Sequence, residues 1–142
     1  MPSDLPRAAM TGRKTQKEDA AMSSILIVDD DDAVRLTLRI LLECSGHHVD
    51  EAGDGRTGLK ALGTGNYDLV ITDIIMPDCE GIEFIRAALK AQPNRKIIAM
   101  SAGGRTRNTE FLDIARKSGA KAILPKPFEP EALMSAIKLA LA

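Results

Sequence analysis

Five polar groups stand at the ends of short apolar runs. Asp29 and Asp30 follow ILIV, and Asp73 follows LVIT. Ser101 follows IIAM, and Lys126 follows AIL and a proline. Each run reads as a buried strand, and in an open parallel sheet such strand ends converge on one crevice. Three carboxylates, a hydroxyl and an ammonium brought together suit a divalent cation and a phosphoryl group. Packed carboxylates repel and raise one another's pKa unless a cation lies among them. Oxygen-only ligands, few in number, suit a hard cation that keeps room for water and phosphate oxygens. An aspartate carboxylate can attack phosphorus to form an acyl phosphate. A metal would neutralise the phosphoryl oxygens during transfer.

Each group also has a plainer role to set beside this one. Within the acidic run 29–32, Asp31 or Asp32 is expected to cap a helix and favour its dipole. Asp29 and Asp30, still at the strand end, are poorly explained that way. Asp73 before DIIMPDCEG could make an Asx turn, but Pro77 and Gly81 shape a tight loop that would hold it beside a metal. Ser101 could be a turn serine. Lys126 could be a solvated lysine, but Pro125 and Pro127 fix the backbone on both sides. A cis Lys126–Pro127 bond would aim the ammonium inward, toward Asp73 or a phosphoryl oxygen.

The elements needed to position these groups are legible in the hydrophobic pattern. Strands are expected at residues 25–28, 48–52, 69–72, 97–100 and 122–124. Helices are expected at 32–44, 55–62, 82–91, 109–118 and 131–141. Val34, Leu38, Leu41 and Leu42 give the first helix its inward face, and Gly46 stops it. Leu59 and Leu62 are expected inward on the second helix. Phe84, Ile85 and Leu89 fill that role on the third, and Leu133, Ile137 and Leu141 on the last. The run 48–52 alternates and reads as an edge or half-buried strand. Continuous apolar strands alternating with helices predict an α/β fold. Its doubly wound five-stranded parallel sheet would be flavodoxin-like, in strand order 2-1-3-4-5.

Composition bounds the rest. The 142 residues suit one domain, expected over 25–142, with a flexible tail at 1–24. Hydrophobic residues make up 44% and aromatics only 3%, so aliphatic side chains and Met must fill the core. Nineteen Lys and Arg against twenty Asp and Glu give a net charge of −1. That argues against a nucleic-acid-coating surface. Cys44 and Cys79 form neither a disulfide framework nor a zinc site, and read as free thiols in a reducing compartment. His47 and His48 have no third metal-type ligand at useful spacing. No apolar run approaches the ~20 residues of a membrane span, and residues 1–24 lack the core of a signal peptide. A cytoplasmic protein is expected.

VDDDDAVR, TDIIMPDCEGIEF, MSAGG and PKPF, in this order and at these spacings, resemble the response-regulator receiver domain of two-component signalling. The resemblance spans residues 24–142. It implies that Asp73 accepts a phosphoryl group from a histidine kinase or a histidine phosphotransfer protein. It implies Mg²⁺ held by Asp30, Asp73 and the backbone carbonyl of Ile75, with Asp29 assisting mainly through water. Ser101 would be the switch hydroxyl, and Lys126 would pair with the phosphoryl group. The Ala102 amide would also contact that group. Lys126–Pro127 would be cis.

One position departs from the pattern. Ile123 stands where the family often carries the Tyr or Phe that swings inward with the switch hydroxyl, so that coupling is not expected in its usual form. Ile75 and Gly103 occupy positions that tune acyl-phosphate lifetime and offer no side chain to position water, which implies slow self-dephosphorylation. The last helix runs to the end of the chain, so output is expected through a protein contact. The last two helices and the strand between them would carry it, with a homodimer possible and no direct nucleic-acid or membrane contact.

Two other functions fit less well. A haloacid-dehalogenase-type phosphatase would use Asp30 as its nucleophile, in D-x-D-A-V, but the residues after Asp73 and the proline-bracketed Lys126 speak against it. A phosphate-independent adaptor would not need the intact set of acids, hydroxyl and lysine.

Overall fold

The computed structural model describes residues 23–74, 80–101, 113 and 116–142. Ile75, Pro77, Cys79, Ala102, Gly103 and most of the expected 109–118 helix lie outside them, as do residues 1–22; residues 113 and 116–118 are helical. The elements are β1 (Ser24–Val28), α1 (Asp32–Cys44), β2 (His48–Ala52), α2 (Gly55–Thr64), β3 (Leu69–Asp73), α3 (Glu80–Ala91), β4 (Ile97–Ser101), β5 (Ala122–Pro125) and α4 (Pro130–Leu141).

The five strands form one parallel sheet in the order β2-β1-β3-β4-β5, as the apolar runs predict. The register aligns the strand ends that matter. Val28 faces Ala52 and Thr72 across the two neighbours of β1. Asp73 faces Met100, and Ser101 faces Pro125. The carboxyl ends of β1, β3, β4 and β5 therefore share one edge.

Side chains alternate across the sheet because the strand period is two. Ile25, Ile27, Ile71 and Ile98 pack with Leu38 and Leu42 of α1 and Leu133 and Ile137 of α4. Leu26, Val28, Val70 and Ile97 pack with Phe84, Ile85 and Ala88 of α3 on the other face. Leu41, Leu89 and Leu141 are only partly buried against these clusters.

Helix starts follow capping chemistry. Asp31 caps α1, accepting the N–H groups of Ala33 at 2.9 Å and Val34 at 3.3 Å. Asp54 caps α2 through the Thr57 N–H at 2.7 Å. Gly46, at φ 92°, turns the chain out of α1 in the left-handed region that glycine enters without a Cβ clash.

Helix α2 departs from expectation. Leu59 is 37% exposed, and Leu62 is only half-buried. The face against the sheet is made instead by Gly55 and Gly58, both buried. A Cβ on Gly58 would come within 2.9 Å of the Phe84 ring and 3.0 Å of Val28 Cγ2. The helix sits so close that only hydrogen fits there, so Leu59 turns to the rim while Leu62 packs at the edge of the core cluster.

His47 opens a pH dependence. Its side chain is buried, and among the described residues Nδ1 has no hydrogen-bond partner. Burial pushes the imidazole below its ordinary value of 6.5, against a smaller opposing pull from a hydrogen bond to the Ser23 backbone. The unfolded chain thus takes up a proton that the fold resists. Stability is fully present above about pH 6.5 and falls as pH drops through that value toward the lower folded pKa. Urea unfolding at pH 8 and pH 5.5 should show a smaller acid loss in His47→Gln than in the parent. Equal losses would remove His47 from the account.

Candidate functional site

Asp29 follows β1 directly, completely buried. Its amide donates to the Ala52 carbonyl at 3.1 Å. Its Oδ1 accepts the Asp31 N–H at 2.9 Å, and its Oδ2 accepts Lys126 Nζ at 2.9 Å. Asp73 ends β3, also buried, and its Oδ2 accepts the same Nζ at 3.0 Å. Lys126 is joined to Pro127 by a cis bond. Its N–H donates to the Ser101 carbonyl at 2.6 Å. Ser101 is itself buried at the end of β4. Asp30 is exposed at the mouth, and one carboxylate oxygen from each of Asp29, Asp30 and Asp73 lies within 4.8 Å of the others.

Asp29, Asp30, Asp73, Ser101 and Lys126 thus meet at one sheet edge, as their strand-end positions predict. Ile75 and Ala102 lie outside the described residues.

The electrostatics are those of a site built for a cation. Burial dominates at Asp29 and raises its pKa; the Asp31 amide and Lys126 pull the other way without overcoming it. Burial also works against the Lys126 ammonium, yet hydrogen bonds and charge from Asp29 and Asp73 outweigh it and raise its pKa. Three carboxylates facing one ammonium leave two negative charges in a cramped space, the complement of a divalent cation. Both Asp29 oxygens accept hydrogen bonds from protein donors.

Two contributors escape a reading of spacing alone. Arg35, on α1, donates to the Asp29 carbonyl and pairs with Asp32 and with Glu51 of β2. Arg39 joins Glu51 and Glu43. The Arg35–Asp32 pair has helical spacing and could have been found; Glu51, on another element, could not. Glu51 is held below the usual carboxylate range, first by the Arg39 hydrogen bond. The other contributor is the Asp29–Lys126 ion pair, which joins residues 97 positions apart.

Gly81 sets the backbone beneath Asp73. A Cβ there would lie 2.3 Å from the Asp73 carbonyl oxygen and 2.5 Å from Ile74 Cα. Gly81→Ala must therefore displace the strand end, at about 3 kcal/mol, the upper range for an overpacked site. Urea denaturation measures that loss, and a slower rate of phosphoryl labelling should accompany it. An unchanged midpoint and rate would show that α3 yields instead.

The model of the response regulator receiver domain matches residues 25–138. The chain belongs to this family. It is 36% identical over 114 residues to the chemotaxis protein CheY of Thermotoga maritima, covering 80% of this chain and 92% of that one. It is 38% identical over 120 residues to the DNA-binding transcriptional regulator NtrC of Azospirillum brasilense. That match covers 84% of this chain but only 24% of the regulator, so the chain spans about a quarter of that protein's length. Among solved structures, a CheY-like receiver domain protein from Methanospirillum hungatei superposes with a TM-score of 0.77 at 32% identity, covering 84% of this chain and 94% of that one. The response regulator TrrA of Thermotoga maritima, solved in complex with Mg²⁺ and BeF, gives 0.72 at 34%, covering 82% and 97%.

Receiver domains are phosphoacceptor modules of two-component signalling that bind Mg²⁺ at an acidic cluster. The receiver fold and acidic cluster are both present in this chain. Among the described residues, no helix is long and apolar enough to cross a membrane.

Proposed function

We propose that residues 25–142 form a phosphorylation-controlled switch, with residues 1–24 a tail outside it, and that Asp73 is the phosphoacceptor. The observation that carries this reading is the shared ammonium: Lys126 Nζ contacts both Asp29 and Asp73 within 3.0 Å, beside three clustered carboxylates. An Asp73 carboxylate oxygen attacks the phosphorus of a phosphohistidine on a kinase or phosphotransfer protein. The P–N bond breaks and the imidazole leaves with its electron pair. Asp30, Asp73 and the Ile75 carbonyl would hold Mg²⁺, with Asp29 assisting, and the bound ion supplies charge neutralisation for the phosphoryl oxygens. Lys126 then exchanges its Asp73 contact for a phosphoryl oxygen, while the Ser101 hydroxyl and the Ala102 amide donate to the others.

The domain does not turn over a separate substrate; the chemistry is on its own aspartate. Its donors belong to the cytoplasm, where free thiols such as Cys44 stay reduced. The output surface is the one around β5 and α4, where Ile123 and the 64%-exposed Leu139 border one cleft. A protein partner or a second copy would read it, with an aliphatic side chain at Ile123 in place of a ring.

Intact-mass analysis after acetyl phosphate and Mg²⁺ treatment tests the reading. One phosphoryl adduct, mapped to Asp73 by borohydride trapping and lost in EDTA, is expected. An adduct on Asp30 would replace this reading with the phosphatase one, and no adduct would favour the phosphate-independent adaptor. The same assay followed over time should show a long-lived acyl phosphate, since neither Ile75 nor Gly103 can position a water. Loss within seconds would contradict that.

A further inference from the structure

The opposite edge of the sheet carries a second polar cleft, of about 440 Å³. Ser23, Tyr67, Asp68, Gln92, Asn94, Arg95, Lys96 and Leu141 line it. Most of its charged and polar groups are already committed. The Tyr67 hydroxyl donates to Asp50 at 2.6 Å. Asp68 accepts the Ser24 N–H at 2.8 Å. Lys96 Nζ donates to the Leu141 carbonyl at 3.2 Å.

Arg95 is the exception. It is only 8% exposed. Its Nε donates to the Ala88 carbonyl at 3.3 Å, and among the described residues no carboxylate forms an ion pair with it. Burial alone acts on its guanidinium, lowering its pKa with no acidic group pulling back. The other arginines with shifted pKa values, Arg35 and Arg39, are both raised and both paired with acids. The terminal nitrogens of Arg95 are not sealed in the core, since the only buried, partnerless side-chain polar atom among the described residues is His47 Nδ1. They open on the cleft.

A buried charge without a counter-ion is costly. Asp68 and Lys96 are each held by backbone groups, and no acid of the described residues lies in ion-pair contact with Arg95. The planar guanidinium fork matches a carboxylate or phosphate in two-point contact. We infer that this cleft is a binding site for a small oxyanion carrying one carboxylate or phosphate group, received by Arg95. The Gln92 and Asn94 side chains at the rim supply amide donors. The site is independent of the acidic one, at the other ends of the same strands.

Titrating the full chain with inorganic phosphate tests this. The readout is the amide NMR spectrum in EDTA, at constant ionic strength against chloride. Saturable shifts are expected at Ser24, Asp68, Arg95 and Lys96, with Asp29, Asp73 and Lys126 unmoved. Arg95→Met should keep the spectrum of a folded domain and the labelling of Asp73 while losing the saturable shifts. An apolar replacement of similar length removes the unpaired charge without opening a cavity. Shifts that fail to saturate, or that persist in Arg95→Met, would overturn the inference. No shift at all would reduce Arg95 to an arginine whose stem covers Ala88 and whose head is simply hydrated.

Discussion

Asp73→Asn should lose phosphoryl labelling by several orders of magnitude and keep its fold. The amide has no carboxylate to attack phosphorus, and among the described residues no other acid is placed as Asp73 is, between Lys126 and the β4 edge. The stability change distinguishes a removed nucleophile from a damaged domain. Three carboxylates face one ammonium, so deleting one negative charge relieves repulsion in the metal-free protein. Thermal unfolding in EDTA should therefore give a midpoint at or above that of the parent. Mg²⁺ should raise that midpoint less than it raises the parent's, because a charged ligand is missing. Undiminished labelling would remove Asp73 from its role. A large fall in the EDTA midpoint would mean that Asp73 is chiefly a structural partner of Lys126.

Lys126→Met should act in the opposite sense. It strips the ammonium from Asp29, which is completely buried and, among the described residues, keeps only the Asp31 amide as a side-chain partner. Removing one member of a buried pair leaves the other uncompensated, at about 3 kcal/mol. That loss should appear in EDTA and shrink in Mg²⁺, since the divalent ion replaces part of the missing charge. Asp73 should still be labelled, but the phosphate-dependent change in the amide spectrum around Ser101 should disappear. A variant as stable as its parent in EDTA would show that Asp29 is protonated in the parent as well. Unchanged phosphate-dependent shifts would show that Lys126 is not the coupling group. The two substitutions together separate the acceptor from the group that reports on it.

Much of this arrangement is legible in the linear chain, for a physical reason. Parallel strands buried on both faces must be continuous apolar runs, so ILIV, LVIT and IIAM reveal both the strands and the polar residues that end them. The helices are legible through Leu38 and Leu42, Phe84 and Ile85, and Leu133 and Ile137. Helix α2 is read less well. Leu59 has helical spacing, but the approach of Gly58 to Phe84 and Val28 decides which face turns inward, and periodicity carries no information on interlayer distance. The site divides the same way. Asp73 and Lys126 are expected partners, whereas the Asp29–Lys126 contact depends on which oxygen of a buried carboxylate the ammonium reaches.

The Asp29–Lys126 pair joins the first strand end to the last across 97 positions. During synthesis, β1 leaves the ribosome well before residue 126 does. Until then Asp29 has no ammonium and the acidic edge carries its full negative charge. A half-made chain thus holds Asp73 without the lysine that pairs with it. The link between the acidic edge and the last strand is therefore the last part of the site to form.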